Sequence, residues 1–188
     1  MALRGMFELT FVWVNIREFV KTSPDVSIPD GIEVRRASLE DCLHAVMDPQ
    51  MGLTEPFVRA AFAQDALCHA AFVEKQMIAY AWRSQSSAPH NKRVGVQVAQ
   101  GLSYGFKAYT HPKFRGLGLY AAITAAEYET AQKRELRSGV SFTEWRNTPS
   151  INADRRLGNR RVGIAGIIRM GSCVWAFDFD CDKRISVK

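Results

Sequence analysis

Thr110-His111-Pro112-Lys113-Phe114-Arg115-Gly116-Leu117-Gly118-Leu119-Tyr120 is the stretch on which the reading of this chain turns. Leu102 to Thr110, before it, has the β-branched and aromatic content of a strand. Leu119 to Glu135, after it, carries the strongest helical pattern in the sequence, and Ala121, Ala122, Ala125 and Ala126 let that helix lie close to a sheet. A strand thus passes through a proline-containing bend into a glycine turn that opens a helix. The first N–H groups of a helix lack intrahelical partners and sit at the positive end of its dipole, so such a turn is an anion site. Gly116 and Gly118 allow unusual backbone angles and let a phosphate approach with no Cβ in the way. Arg115 either adds a donor or fixes the loop. A plain strand-to-helix turn would need only one or two glycines, so the turn alone leaves both readings open.

Gly116-Leu117-Gly118-Leu119-Tyr120-Ala121 also satisfies the G-x-G-x-x-(G/A) dinucleotide pattern. Three features count against it. His111 to Arg115 separate the glycines from their strand; the site lies too late in the chain for a doubly wound parallel sheet; and Glu144 falls beyond the ~20-residue spacing expected of the ribose-binding acid.

Working outward, Met6 to Phe19 contains a strand, and Thr22 to Asp30, with Pro24 and Pro29, reads as a loop. Ile32 to Ala37 alternates like a half-buried strand. Ser38 is a helix N-cap with Asp41 in capping-box position, and that helix stops before Pro49. A second helix covers Thr54 to Ala66. Cys68 to Val73 and Met77 to Arg83 form a hairpin around Glu74-Lys75-Gln76. Ser84 to Lys92 reads as a loop and Val94 to Gln100 as an edge strand. Val140 to Trp145 is a strand, Ser150 to Leu157 a helix, and Val162 to Met170 with Ser172 to Asp180 a final strand pair. This order implies an α/β fold with a mixed, mostly antiparallel sheet in one layered domain spanning residues 1–188, of which 1–30 form an N-terminal strand-and-loop extension.

Composition narrows the function. Hydrophobic residues make up 47% and charged residues 23% of 188, the balance of an ordinary globule. Phe7 to Val20 is apolar but interrupted by Glu8, Asn15, Arg17 and Glu18, so neither a signal peptide nor a membrane partner is expected, and the cytoplasm is the default location. Cys42, Cys68, Cys173 and Cys181 form no Cys-x-x-Cys or zinc pattern and read as reduced thiols. Asp178, Asp180, Cys181 and Asp182 could suggest a metal loop, but they fall on or beside a strand, so no metal is expected. The net charge is +6, and Lys133, Arg134, Arg137, Arg146, Arg155, Arg156, Arg160 and Arg161 cluster late in the chain. No basic stripe interleaved with stacking aromatics is evident, which argues against nucleic acid. Most of these cations read as solvated helix faces, and a smaller anion such as a nucleotide phosphate would also account for a few of them.

Thr110 to Tyr120 resembles the signature (Arg or Gln)-x-x-Gly-x-(Gly or Ala) of the GNAT superfamily of acyl-CoA-dependent N-acyltransferases, with Thr-His-Pro-Lys-Phe in place of its usual V-x-P-x-Y lead-in. A second match lies downstream, in Asn147-Thr148-Pro149-Ser150 and Leu157-Gly158. Both motifs stand in the family's order and spacing, covering Leu102 to Arg169. Three residues depart from the pattern. Tyr120 replaces Gly or Ala, Asn159 replaces Phe, and Asp154 stands where many members place a tyrosine that protonates the departing thiolate.

The resemblance implies a GNAT-like twisted sheet flanked by helices on both faces, with acetyl-CoA as co-substrate. The strand Leu102 to Thr110 should splay from Val140 to Trp145, with the pantetheine arm in the gap. Backbone groups at Ala108, Tyr109 and Thr110 would pair with that arm, and one N–H there would polarise the thioester carbonyl. Backbone N–H groups of Arg115, Gly116, Leu117, Gly118, Leu119 and Tyr120 would hold the pyrophosphate. Asn147 would bind the pantetheine with Ser150 beside it, although Ser150 also suits an N-cap. Proton-accepting candidates are Tyr104, Tyr109, His111 and Glu144, with Asp154 as base or relay. The acceptor would be a small-molecule or peptide amine. Two alternatives stand beside this reading: a catalytically silent acyl-CoA-binding module, and an acyltransferase using longer acyl donors from a carrier protein docked on the basic cluster. The N-terminal strand and the final strand pair are candidates for joining two chains in a homodimer.

Overall fold

The computed structural model describes residues 7–19, 26–85, 87–89, 95–171, 173–179, 181 and 183–187. Among the described residues, eleven strands and four α-helices follow one another as β1 (Phe7–Glu18), β2 (Ile32–Arg36), α1 (Leu39–Val46), α2 (Glu55–Ala63), β3 (Leu67–Val73), β4 (Gln76–Ser84), β5 (Ser87–Pro89), β6 (Gly95–Val98), β7 (Leu102–Thr110), α3 (Leu119–Lys133), β8 (Ser138–Glu144), α4 (Thr148–Arg156), β9 (Arg160–Met170), β10 (Cys173–Phe179) and β11 (Ile185–Val187). The main sheet runs β10-β9-β1-β8-β7-β4-β3-β2, and all its pairings are antiparallel except β7 with β8. The mixed, mostly antiparallel sheet expected from the sequence is the one observed.

Helices cover both faces. On one, α1 and α2 bury Cys42 and Val58 against Phe72, Tyr80 and Trp82. On the other, Leu119 and Ile123 of α3 pack on Ile78 and on Ala71 and Ala79, and the two small alanines admit the helix closely. The capping box read at Ser38 and Asp41 is present, each side chain accepting from the other's backbone N–H.

Several boundaries differ from the sequence reading. Helix α4 begins at Thr148 rather than Ser150, with Asn147 as its N-cap; Ser150 lies in the first turn and donates its N–H to Asn147 Oδ1 at 3.2 Å. Pro149 suits this start because a first-turn N–H needs no intrahelical partner. Within the stretch read as a loop, Ser87–Pro89 is a strand. It pairs with β6, which also pairs with β11, so β6 is the middle of a second, three-stranded sheet rather than an edge. Strand β1 lies between β8 and β9 and pairs with both, so its described part is interior to the sheet rather than peripheral. Met6, Ser172, Asp180 and Asp182 lie outside the described residues, as do 20–25, 90–94 and 86.

Candidate functional site

Strands β7 and β8 pair in parallel only from Leu102–Ser138 to Gly105–Ser141 and then part. β7 continues to Thr110 along β4, while β8 continues to Glu144 along β1. Between them opens a cleft of about 620 Å³, lined by both strands, by Arg115 and Tyr120 near the start of α3, and by Asn147, Ser150 and Asp154 of the α4 region. A register shift in β7 adds to the divergence: Lys107 faces Trp82 and Gly105 faces Arg83, leaving Phe106 as an extra residue. Because backbone groups of a strand point alternately to its two sides, half of those from Phe106 to Thr110 face the cleft as an open strand edge.

The glycine turn is arranged as expected at Gly116 (φ 84°) and Gly118 (φ 72°), both left-handed. A Cβ at either would meet nothing within 4 Å, so the turn is open on its outer side. Helix α3 starts with no side-chain cap and no acidic residue in its first turn, whereas α1 has a capping box and α4 an Asn cap. Its leading N–H groups therefore remain available to an anion. Arg115 resolves toward the loop-fixing role: its Nε donates to the Thr110 carbonyl at 3.2 Å, and its guanidinium lies 5.9 Å from the Tyr109 ring centre.

Of the residues singled out from the sequence, Ala108, Tyr109, Thr110, Arg115, Tyr120, Asn147, Ser150 and Asp154 share the cleft. Gly116, Leu117, Gly118 and Leu119 lie just beyond it; Leu117 is exposed and the Leu119 side chain is core. Glu144 also lines the cleft. Tyr104 is buried against Phe142 and Phe106. His111 continues the β4–β7 ladder through its N–H to the Ile78 carbonyl, and its Nδ1 accepts from the Lys113 N–H.

Asp154 is not the solvated helix-face acid its position suggests, being 6% exposed. Its Oδ2 accepts from Thr143 Oγ1 at 2.5 Å and Asn15 Nδ2 at 3.3 Å, and its Oδ1 accepts from Asn159 Nδ2 at 2.6 Å. Burial raises its pKa above the usual carboxylate value, while the Thr143 and Asn159 hydrogen bonds pull the other way. The Tyr120 ring finds room in the cleft, where burial pushes its phenol up to about 12, so it stays protonated across the neutral range.

The sequence reading missed a buried ionic cluster beneath the cleft. Glu127 Oε2 accepts from Arg83 Nε at 2.8 Å and Arg17 Nη2 at 3.3 Å, and Arg83 Nη1 donates to Ser103 Oγ at 3.2 Å. The Arg83 guanidinium lies over Gly105 and Gly139; a Cβ at Gly139 would come within 2.8 Å of its Nη1, whereas one at Gly105 would make ordinary contact. Asn15 and Arg17 alternate with Val14 and Ile16 along β1, a pattern that signals a polar row facing inward. Only the interior position of β1 gives that row its meaning.

No family model matches the chain, and no curated protein matches it. Solved structures do. A putative acetyltransferase from the GNAT family of Novosphingobium aromaticivorans is 14% identical over 92% of this chain and 70% of its own, with a TM-score of 0.59. A tandem GNAT protein from the clavulanic acid biosynthesis pathway is 12% identical over 91% of this chain and 54% of its own, also at 0.59. AAC(6')-Iy, in complex with the bisubstrate analogue CoA-S-monomethyl-acetylneamine, is 17% identical over 68% of this chain and 89% of its own, at 0.53. The chain has the GNAT fold, as the resemblance implied. It spans between about half and two thirds of the length of several structures it matches.

Proposed function

We propose that the chain is an N-acyltransferase moving an acetyl group from acetyl-CoA to a primary amine by direct attack. The observation that carries this reading is the parting of β7 from β8 next to an uncapped, glycine-led helix start. A pantetheine arm can pair with the open edge of β7 as an added strand, while the turn from Arg115 to Tyr120 receives the pyrophosphate. Asn147 would reach the arm from the opposite wall, with Ser150 beside it. Neighbouring structures named as acetyltransferases, one in complex with a CoA bisubstrate analogue, support the donor.

In the proposed reaction the amine nitrogen bonds to the thioester carbon, and negative charge gathers on its oxygen. A backbone N–H at Ala108 to Thr110 would stabilise that oxygen. The C–S bond then breaks, and the sulfur takes a proton while the amine loses one. Tyr109 and Asp154 are the proposed proton-handling groups, and the rest of the acceleration comes from holding both substrates in register. Small-molecule amine acceptors are supported by AAC(6')-Iy and by a metagenomic aminoglycoside acetyltransferase, 7% identical, among the neighbours. A peptide amine is the other acceptor class. We read the chain as one acyltransferase unit working in the cytoplasm without a metal. Among the described residues no helix is long and apolar enough to cross a membrane.

The competing reading is a silent acyl-CoA-binding module. It draws on the three donors that already occupy the Asp154 carboxylate. Free-thiol release from acetyl-CoA across a panel of amines separates the two. Amine-dependent release supports the enzyme, and binding of coenzyme A without release supports the silent module. A chain that neither binds coenzyme A nor gains thermal stability from it sinks both.

A further inference from the structure

The cleft is lined from both faces of the sheet, and the two faces differ in charge. Toward α3 and α4 the carboxylates are already engaged, Glu127 by Arg83 and Arg17, and Asp154 by Thr143, Asn15 and Asn159. Toward α1 and α2 the lining is mostly aromatic. Lys107 faces Trp82 in the β7–β4 pairing, so both side chains lie on the face that α2 covers. The Lys107 ammonium stands 5.3 Å from the ring centre of Phe57 on α2. Phe106 and Tyr109, half-buried on the same side, continue the aromatic lining.

Lys107 is half-buried and forms no ion pair with a described residue. Burial lowers its pKa, because the charge is withdrawn from water and no anion compensates it. The Phe57 ring attracts the charge without satisfying the three N–H donors of the ammonium. Across the cleft, Glu144 follows Phe142 by two positions on β8 and so projects to the same face. It is exposed, lines the cleft, and closes no ion pair with Lys107. This face thus presents one cation and one anion on opposite walls, each with its charge available, over an apolar floor.

A polycationic acceptor would meet a like charge at Lys107, and a simple alkyl amine would leave that ammonium unpartnered. A zwitterion with an apolar side chain suits every feature. Its carboxylate meets Lys107, its amine end turns toward Glu144, and its side chain lies on Phe106 and Tyr109. Lys107 also directly precedes Ala108, where the proposed thioester-binding stretch begins. A carboxylate on the ammonium therefore leaves the adjacent α-amine beside the reacting carbon.

We propose that the acceptor is a free amino acid with an apolar side chain, its carboxylate held by Lys107. The inference rests on reading the cleft as an acyl-CoA site. The neutral α-amine bonds to the thioester carbon, the C–S bond breaks, and the proton lost by nitrogen ends on sulfur. The products are an N-acetyl amino acid and coenzyme A. Lys107 stays protonated throughout, a form that the bound carboxylate favours, so it determines specificity and carries no proton.

The test measures thiol release from acetyl-CoA with matched acceptors: phenylalanine and phenethylamine, leucine and isopentylamine, tryptophan and tryptamine. A phenylalanyl dipeptide and neamine are run beside them. In at least one pair the amino acid should exceed its decarboxylated partner in kcat/KM by about tenfold or more, chiefly through KM. Lys107→Met should bring the members of that pair within about threefold of each other, and Lys107→Arg should keep the preference. The thermal shift given by acetyl-CoA reports that each variant is folded and binds the donor. Decarboxylated amines or neamine used as well as the amino acids overturn the inference. So does a preference that survives in Lys107→Met, which leaves Lys107 a packing residue, or better use of the dipeptide than of free phenylalanine. If acetyl-CoA binds and no amine is acylated, the enzyme reading falls and takes the inference with it.

Discussion

Asp154 is a carboxylate on an otherwise basic segment, held by Thr143, Asn15 and Asn159. As the base that takes the amine's proton it must be ionised, and burial raises the pH at which that happens. The acid limb of kcat/KM should therefore lie above the ordinary Asp value of about 4. Asp154→Asn should abolish that limb and lower kcat about 100-fold or more, with coenzyme A affinity retained. An unchanged pH profile in the variant would remove Asp154 from the chemistry. Asn15→Leu should displace the carboxylate and destabilise the fold by about 1–3 kcal/mol, measured by denaturant unfolding. Asp154 was legible as a candidate because a neighbouring motif placed it on α4. Its partners were not, since Asn15 lies 139 residues away and reaches it only through the long-range pairing of β1 with β8.

Local signals, by contrast, were read correctly where elements terminate themselves. Ser38 and Asp41 close a reciprocal cap on α1, and Arg35 ties the same carboxylate at 2.7 Å. The Arg35 hydrogen bond holds Asp41 well below the usual carboxylate range. A depressed folded-state pKa contributes stability above the unfolded value of about 4, which is lost as pH falls below it. Asp41→Asn should cost about 1 kcal/mol at neutral pH and flatten the acid loss of stability, read from urea midpoints between pH 7 and pH 3. The start of α3 was legible for the same reason, because glycines and an adjacent helix pattern are neighbours in sequence. Gly118→Val forces a β-branched residue to a φ of 72°, costing roughly 1–2 kcal/mol, and should also weaken coenzyme A binding. The second sheet is not legible in the sequence because Ser87–Pro89 is three residues long and contains a proline, and β11, which pairs with the other side of β6, comes from a distant part of the chain.

Across the molecule, the N-terminal strand closes the sheet. It fills the place between β8 and β9 and brings Arg17 to Glu127 and Arg83 beneath the cleft. Removing the one carboxylate would leave two buried guanidiniums facing each other. Glu127→Leu should therefore lose about 3–5 kcal/mol by denaturant unfolding. No element of this cluster was visible beforehand, since its three members come from β1, β4 and α3. What the sequence did announce was the strand, bend, glycine turn and helix from Leu102 to Lys133, a contiguous unit whose proposed anion site needs no distant partner. The central claim, that the parted strands and this turn hold an acyl-CoA, is tested most directly by hydrogen–deuterium exchange with and without acetyl-CoA. Slowed exchange confined to Phe106–Thr110 and Gly116–Ala122 is the predicted result. Unchanged exchange in both segments, or protection restricted to β9 and β10, would contradict it.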